Sequence, residues 1–222
     1  MTPTDRGTID YKDELVRKLI HLFSLSIPII YYFISKSTAA IILGSLALFA
    51  ITLDLGRYFS PRIGKIFYKL FGFLLRHHEV DTEKKNLNGA TYVLFSAVFG
   101  VIVFPKIIFI TAFSILIIGD TMAALVGRKF GKHKFLYKSF EGTLAFLISS
   151  TIVILFTPKV GYFYEEYIIG FVAAIFGAII ENISSNYVDD NFSIPFTVGF
   201  TMWILYIIFL PNLELTLSGV PG

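Results

Sequence analysis

The sequence predicts an all-α fold, a polytopic transmembrane helix bundle of about seven spans with one interfacial amphipathic helix. Three observations predict it. The chain of 222 residues is 55% hydrophobic and only 16% charged, where a soluble domain carries nearer a quarter charged residues; its mean hydropathy is +0.72. Seven apolar runs recur along it, at 19–35, 38–55, 89–104, 107–126, 142–157, 167–180 and 193–210, several of them shorter than the ~20 residues that a span needs. The basic residues are also unevenly divided. With seven crossings, 16 Lys and Arg fall on the side of the N-terminus and three, Lys36, Lys106 and Lys159, on the other. The positive-inside rule then places the N-terminus and the basic loops in the cytosol. Removing one span would scatter those loops over both faces.

The elements follow in order. Residues 1–14 form a polar lead-in with four acids and two bases, and no small-residue cleavage site follows the first apolar run, so this is not the pattern of a cleavable signal. A single catalytic domain is expected over 15–210, with a tail at 211–222. The second span ends on Asp54-x-Gly56-Arg57. In segment 61–75, Pro61 suits a helix start, and Arg62, Lys65 and Lys69 alternate at helical spacing with Ile63, Ile66, Phe67, Leu70 and Leu74. That pattern fits a helix lying on the cytosolic interface or packed on the bundle. Residues 76–88 are a charged loop whose His77-His78 pair reads as solvated. Asn88-Gly89 opens the third span. Tyr31, Tyr32, Tyr162, Tyr164 and Tyr206 fall near span ends, where aromatic rings anchor at the interface. With no cysteine in the chain, disulfides, thiolate catalysis and Cys-ligated metals are excluded.

The most informative residue is Asp120, late in the run 107–126. A carboxylate inside a span is costly and is usually functional. On a helix, Ala123, Ala124 and Gly127 share its face, and small residues there permit close helix packing or close approach of a ligand. A basic loop follows. Gly127 and Gly131 bracket Arg128 and Lys129, an arrangement suited to presenting backbone N–H groups and cations to phosphates, although no Walker A motif occurs in the chain. Lys138-Ser139-x-Glu141-Gly142 completes the loop, with Ser139 a candidate N-cap and a carboxylate in the first turn.

Two further constellations fall on the same expected face. Glu14-x-x-Arg17-Lys18-x-x-His21 shares one side of a helix entering the first span, with Glu14 and Arg17 spaced for an intrahelical ion pair and His21 deeper in the apolar run. Glu181-Asn182-x-Ser184-Ser185-Asn186-x-x-Asp189-Asp190-Asn191-x-x-x-Pro195 joins the sixth span to the seventh with no balancing Lys or Arg. Its oxygens suit Mg²⁺, which often takes one or two carboxylates and completes its shell with substrate phosphates. Cationic phosphate holders, carboxylates for a metal and an apolar bundle that can hold a lipid are the parts that phosphoryl or nucleotidyl transfer needs. The residues therefore point to a membrane enzyme that uses a nucleotide.

Taken in order, Glu14-x-x-Arg17-Lys18-x-x-His21, Gly119-Asp120-x-x-Ala123-x-x-x-Gly127-Arg128-x-x-Gly131, Lys138-Ser139-x-Glu141-Gly142, and Glu181 with Asp190-Asn191-x-x-x-Pro195 resemble the dolichol kinase, phytol kinase and CTP-dependent diacylglycerol kinase family. The resemblance implies a multi-pass enzyme that phosphorylates a lipid hydroxyl, with CTP as donor and Mg²⁺ or another divalent cation. It implies a nucleotide site built from Asp120, Arg128, Lys138, Ser139 and Glu141, with Asp190-Asn191 in the same catalytic region. The expected roles are Asp120, Glu181 and Asp190 for metal; Arg128, Lys132, Lys138, Ser139, Gly127, Gly131 and Asn191 for nucleotide; Asp120, Glu141, Asp190 and His21 for catalysis; and Glu14, Arg17 and Lys18 in support. The expected partners are a membrane lipid alcohol (phytol, a polyprenol or dolichol, or diacylglycerol), the nucleotide and the bilayer, not a nucleic acid. The short chain resembles compact prokaryotic or phytol-kinase-like members, which implies a cell-membrane location with a cytoplasmic site. The alternative is a CDP-lipid synthase like the distantly related phosphatidate cytidylyltransferases, whose late signature places paired aspartates around a His-Gly-Gly-type stretch; neither His-Gly-Gly nor Asp-Arg-x-Asp occurs in this chain. The non-enzymatic alternative is a membrane transporter or lipid-binding protein; a transporter would place polar groups at both faces.

Overall fold

A computed structural model describes residues 11–72, 87–184 and 189–222. The His77-His78 pair, Ser185-Asn186, the end of segment 61–75 and most of the lead-in lie outside the described residues. The helices are α1 (Tyr11–Phe23), α2 (Ser26–Phe33), α3 (Lys36–Phe59), α4 (Pro61–Phe71), α5 (Gly89–Val103), α6 (Lys106–Phe130), α7 (Phe140–Phe156), α8 (Tyr164–Ser184) and α9 (Asp190–Phe209). The expected all-α chain has one departure, an antiparallel hairpin of β1 (Lys134–Phe135) and β2 (Lys138–Ser139) between α6 and α7.

Among the described residues, five helical segments are long and apolar enough to cross a membrane: Tyr11–Phe33, Lys36–Phe59, Lys106–Phe130, Tyr164–Ser184 and Asp190–Phe209. Gly89–Val103 and Phe140–Phe156 are apolar but have only 15 and 17 residues, which at ~1.5 Å per residue fall short of a ~30 Å hydrocarbon core. Outward faces are apolar, as at Phe23, Ile41, Leu48, Leu155 and Ile207, each more than half exposed. Such a surface has no stable place in water, and the chain is an integral membrane protein.

The first apolar run is not one continuous helix. It breaks at Ser24-Leu25 between α1 and α2. Pro28 has no N–H to give the carbonyl four residues earlier, so the helix restarts with Pro28 in its first turn, where no donor is missed. The central element is α6, buried along nearly its whole length, with α1, α2, α5, α7, α8 and α9 around it. Gly119 permits the closest approach: a Cβ there would lie 2.8 Å from the Phe146 ring and 3.0 Å from Ser150 Oγ on α7. A run of rings, Phe104, Phe196, Phe200 and Trp203, lies between the end of α5 and α9, with neighbouring centroids 5.0–6.5 Å apart.

Two of the tyrosines expected at the interface belong to the core instead. Tyr31 is buried edge-on against Phe109, with a centroid separation of 5.3 Å, and buried Tyr206 donates to Glu166 at 3.1 Å. Tyr162 and Tyr164 are exposed, as anchoring requires. Span-end position alone does not separate a ring facing lipid from one facing a neighbouring helix. At this end of the bundle, Lys106 donates to the Ile34 carbonyl at 2.7 Å. The Glu166 carboxylate accepts from the backbone N–H groups of Val160, Gly161 and Phe163 at 2.9–3.2 Å.

At the opposite end a buried ion pair fastens α3 to its neighbours. Arg57 Nε lies 2.9 Å from Asp54 Oδ1 with both side chains fully enclosed, and the second Asp54 oxygen accepts from Asn88 N, ahead of α5, at 2.7 Å. The guanidinium faces the rings of Tyr58 and Phe67 at 4.6 and 4.8 Å, which docks α4. Asp54→Ala leaves Arg57 as a buried charge without its carboxylate, a loss of about 3–5 kcal/mol. Thermal unfolding in detergent should fall sharply for Asp54→Ala and less for Asp54→Asn, whose amide oxygen still accepts from Asn88.

Candidate active site

The face of α1 predicted to be polar closes directly on the carboxylate of α6. Lys18 Nζ lies 2.5 Å from Asp120 Oδ2 with both side chains nearly inaccessible, and His21 Nε2 is 3.6 Å from the same oxygen. One turn nearer the start of α1, Glu14 takes the Arg17 guanidinium at 2.6 Å and Arg128 NH1 at 3.2 Å. Residues at i, i+3, i+4 and i+7 lie on one face of a helix, so the spacing of Glu14, Arg17, Lys18 and His21 is sufficient to present all four to α6.

Arg128 and Lys129 do not sit in a glycine-flanked turn. They form the last turn of α6, which runs to Phe130 and is capped by the Gly131 N–H on the Gly127 carbonyl at 2.9 Å. Cations are favoured there by the helix dipole. Gly131 is required by crowding: a Cβ would stand 2.2 Å from the Gly127 carbonyl and 2.7 Å from Ser139. The small face of α6 likewise serves helix packing, since Gly142 at the start of α7 lies over the Ala123 carbonyl and Gly127.

The hairpin then carries Lys138 to the second carboxylate group. Lys138 Nζ is 2.7 Å from Glu181 Oε1 at the end of α8 and 3.4 Å from Asp190 Oδ2 at the start of α9. Asp190 also accepts from the Ser184 hydroxyl. Burial of Lys138 works against its charge, but Asp190 and Glu181 outweigh it and raise its pKa above the ordinary lysine value. On the lysine side this stabilisation is complete below about 10.4 and is lost as the pH rises through the raised folded value; on the acid side it lapses as the carboxylates take up protons.

Asn182, which the sequence pattern grouped with the oxygens suited to Mg²⁺, holds this arrangement in register. Its Oδ1 accepts from Tyr137 N at 2.9 Å and Lys138 N at 3.0 Å, and its Nδ2 donates to Thr143 Oγ1 at 2.7 Å. It thereby supports the hairpin turn at Leu136, whose φ of 51° is unfavourable for a branched side chain. Its position directly after Glu181 was the available signal.

Other expected site residues have different surroundings. Ser139 is the N-cap of α7, as its position predicted, and its buried hydroxyl accepts from Gly142 N at 3.2 Å. The Glu141 carboxylate turns to the hairpin, accepting from Lys132 N at 3.1 Å and facing His133 Nδ1 at 2.7 Å. It closes the basic loop and does not join the Asp120 group. Lys132 is exposed. Asn191 Nδ2 donates to Asp189 Oδ1 at 2.8 Å. Pro195 lies inside α9, and its missing N–H leaves the Asn191 carbonyl without its helical donor.

Among the described residues no group of three or more His, Cys, Asp or Glu forms a ready metal cage. Glu181 and Asp190 nevertheless converge on one cation, the Lys138 ammonium. Two buried carboxylates facing a shared positive centre fit a divalent ion that draws its remaining oxygens from a phosphate-bearing substrate.

This is a membrane helix bundle with a charged site at one end: buried carboxylates on α1, α6, α8 and α9, with cations from α1, α6 and β2. The chain is 32% identical over 193 residues to an uncharacterized protein of Rickettsia prowazekii, across 85% of this chain and 92% of that one. It is 27% identical over 227 residues to a protein of Glycine max named probable phytol kinase 2, chloroplastic, across 94% of this chain and 70% of that one. A stretch of 96 residues is 33% identical to dolichol kinase of Schizosaccharomyces pombe, covering 40% of this chain and 17% of the yeast protein. No protein-family model and no solved structure matches the chain. The chain is thus a distant relative of proteins named phytol kinase and dolichol kinase.

Lys138→Met removes the cation between two buried carboxylates. The variant should unfold at lower temperature, and its deficit should be smaller in mildly acidic than in alkaline buffer, because a proton on one carboxylate then replaces the missing charge. Parallel melts across pH measure both effects.

Proposed function

We propose that this protein is a lipid-alcohol kinase that moves the γ-phosphoryl group of a nucleotide, CTP, to the hydroxyl of a membrane lipid alcohol such as phytol, a polyprenol or dolichol, or diacylglycerol. The observation that carries this reading is the gathering of Lys18, Arg128 and Lys138 with Asp120, Glu181 and Asp190 at one end of an apolar bundle. Catalysis of phosphoryl transfer is mostly positioning and charge stabilisation, and these residues supply both. The names of the soybean and yeast relatives support the acceptor class, and CTP follows from the family resemblance.

In this reading Arg128 and Lys138 hold the phosphates, with exposed Lys132 at the mouth and the Gly127–Gly131 turn of α6 beside them. Glu181 and Asp190 would hold Mg²⁺ or another divalent ion, with Asn191 adjacent; such an ion neutralises phosphate charge when bound. Asp120 orients His21, at 3.6 Å, to accept the acceptor's proton. The lipid oxygen forms its bond to the γ-phosphorus, the hydroxyl proton passes to His21 Nδ1, the ring nitrogen that does not face Asp120, and the bond to the β–γ bridging oxygen breaks, releasing the nucleoside diphosphate. Glu14 and Arg17 brace α1 against α6. Glu141 acts by shaping the basic loop. Seven crossings, with the N-terminus and this site in the cytosol, agree with the distribution of Lys and Arg, and a prokaryotic cell membrane agrees with the compact chain. With that topology α4 lies along the cytosolic interface.

Purified protein supplied with CTP labelled at either the α- or the γ-phosphorus and a panel of lipid alcohols tests the reading. The expected result is γ-label in lipid and α-label left in CDP, with Asp120→Asn losing at least about a hundredfold in rate while still inserting into membranes. Retention of α-label in lipid with release of pyrophosphate would establish cytidylyl transfer instead.

A further inference from the structure

Beside the charged group lies a cavity of about 260 Å³ that none of the assigned roles uses. α1 forms one wall through Ile20 and His21. Phe49, Ala50 and Leu53 of α3 form the opposite wall, and Val93 of α5 with Asn191 of α9 closes the inner end. α1 packs on α6 and α3 packs on α5, so the space lies between two helices that lean on different partners. Phe49 is 65% exposed and Ile20 45%, which puts the mouth on the outward, bilayer-facing side of the bundle.

The distribution of charge decides what fits. Among the described residues that line it, Lys18, Arg128 and Lys138 do not appear, and the Lys or Arg that does, Arg17, is paired with Glu14. A polyphosphate is poorly served there. The walls are chiefly aliphatic and aromatic; besides Arg17 the polar lining is His21, Ser24, Asn88, Thr91 and Asn191, of which Asn88 and Thr91 lie at the start of α5 and Asn191 at the start of α9. His21 also touches Asp120, and Asn191 adjoins Asp190, which faces Lys138. The cavity is thus apolar toward the bilayer and polar toward the phosphate-holding residues. Its volume is just under the ~300–1,000 Å³ of sites that enclose a whole ligand.

We infer that this cavity is the acceptor half-site, taking the hydroxyl-bearing end of a long-chain lipid alcohol between α1 and α3 while the rest of the chain stays in the bilayer. His21 and Asn191 stand at its seam with the nucleotide half-site. This inference rests on the kinase reading above. It assigns acceptor selection to Ala50, Leu53 and Val93, whose size fixes how bulky the first carbons beside the hydroxyl can be.

The test pairs kinetics with a binding measurement that needs no turnover. Ala50→Phe and the milder Ala50→Leu place new bulk inside the cavity, and a long-chain prenol carrying a diazirine beside its hydroxyl reports where the lipid sits. Expected are a rise of about tenfold or more in KM for the lipid with Ala50→Phe, little change in KM for the nucleotide, a smaller rise with Ala50→Leu, and wild-type photolabel on α1, α3 and α5 that excess unlabelled prenol removes. An unchanged lipid KM in both variants, or wild-type photolabel confined to the outward faces of α7 and α8, overturns the assignment. Should no lipid alcohol be phosphorylated by the wild type while the prenol still labels this cavity competitively, the kinase reading falls and the lipid site stands. Phosphorylation without labelling here gives the reverse.

Discussion

The rest of the site depends on one buried ion pair, Lys18 with Asp120. Each charge alone would be prohibitive inside an apolar bundle, so neither helix can present its charge without the other. The pair therefore fixes α1 against α6 in rotation as well as in depth. Once it is set, Glu14 faces Arg128 and His21 faces Asp120 from the next turn. The arrangement is specific because an apolar contact would tolerate sliding of one helix on the other, and two buried opposite charges do not.

Lys138, Glu181 and Asp190 repeat this logic with a different geometry. Here the cation comes from a hairpin and the acids from the facing ends of two helices. A lysine between two carboxylates can be drawn toward an incoming phosphate, and the acids it leaves are then free to face a divalent ion. The ion pairs of the free protein and the contacts proposed for its substrates use the same atoms, so binding exchanges partners and need not create new buried charge. Glu141 shows the complementary arrangement: it is committed to the loop backbone and His133, and its contribution is the shape of the loop.

Much of this was legible in the sequence where the period of the pattern matched the period of the element. Glu14, Arg17, Lys18 and His21 recur at helical spacing and do share a face. Ser139, placed just before an apolar run with Glu141 following, does cap α7. Asp120 could be singled out because a carboxylate in such a run is costly, but its partner could not be read, since Lys18 is 102 residues away and nothing local encodes that pairing. The Gly127–Gly131 segment reads in the sequence as part of the basic loop because glycine marks both loops and close packing; in the structure α6 continues to Phe130 and the glycines admit Ser139 and α7. Tyr31 and Tyr206 were placed at the interface for a similar reason, position along a span being silent about rotation. The break at Ser24-Leu25 was foreshadowed by Pro28. The cavity between α1 and α3 had no sequence signal, because it exists only through the way those helices lean on different neighbours.

The central claim, that pairing of Lys18 with Asp120 builds the site, is tested most directly by a double-mutant cycle. Lys18→Met, Asp120→Asn and the double variant are compared for thermal stability in detergent and for photolabelling by an azido-nucleotide. The account predicts that the two single losses are strongly non-additive, with a coupling of about 1–3 kcal/mol. Each single variant strands a charge, whereas the double variant strands none and recovers stability without recovering nucleotide labelling. Additive losses, with the double variant least stable of the three, would contradict it.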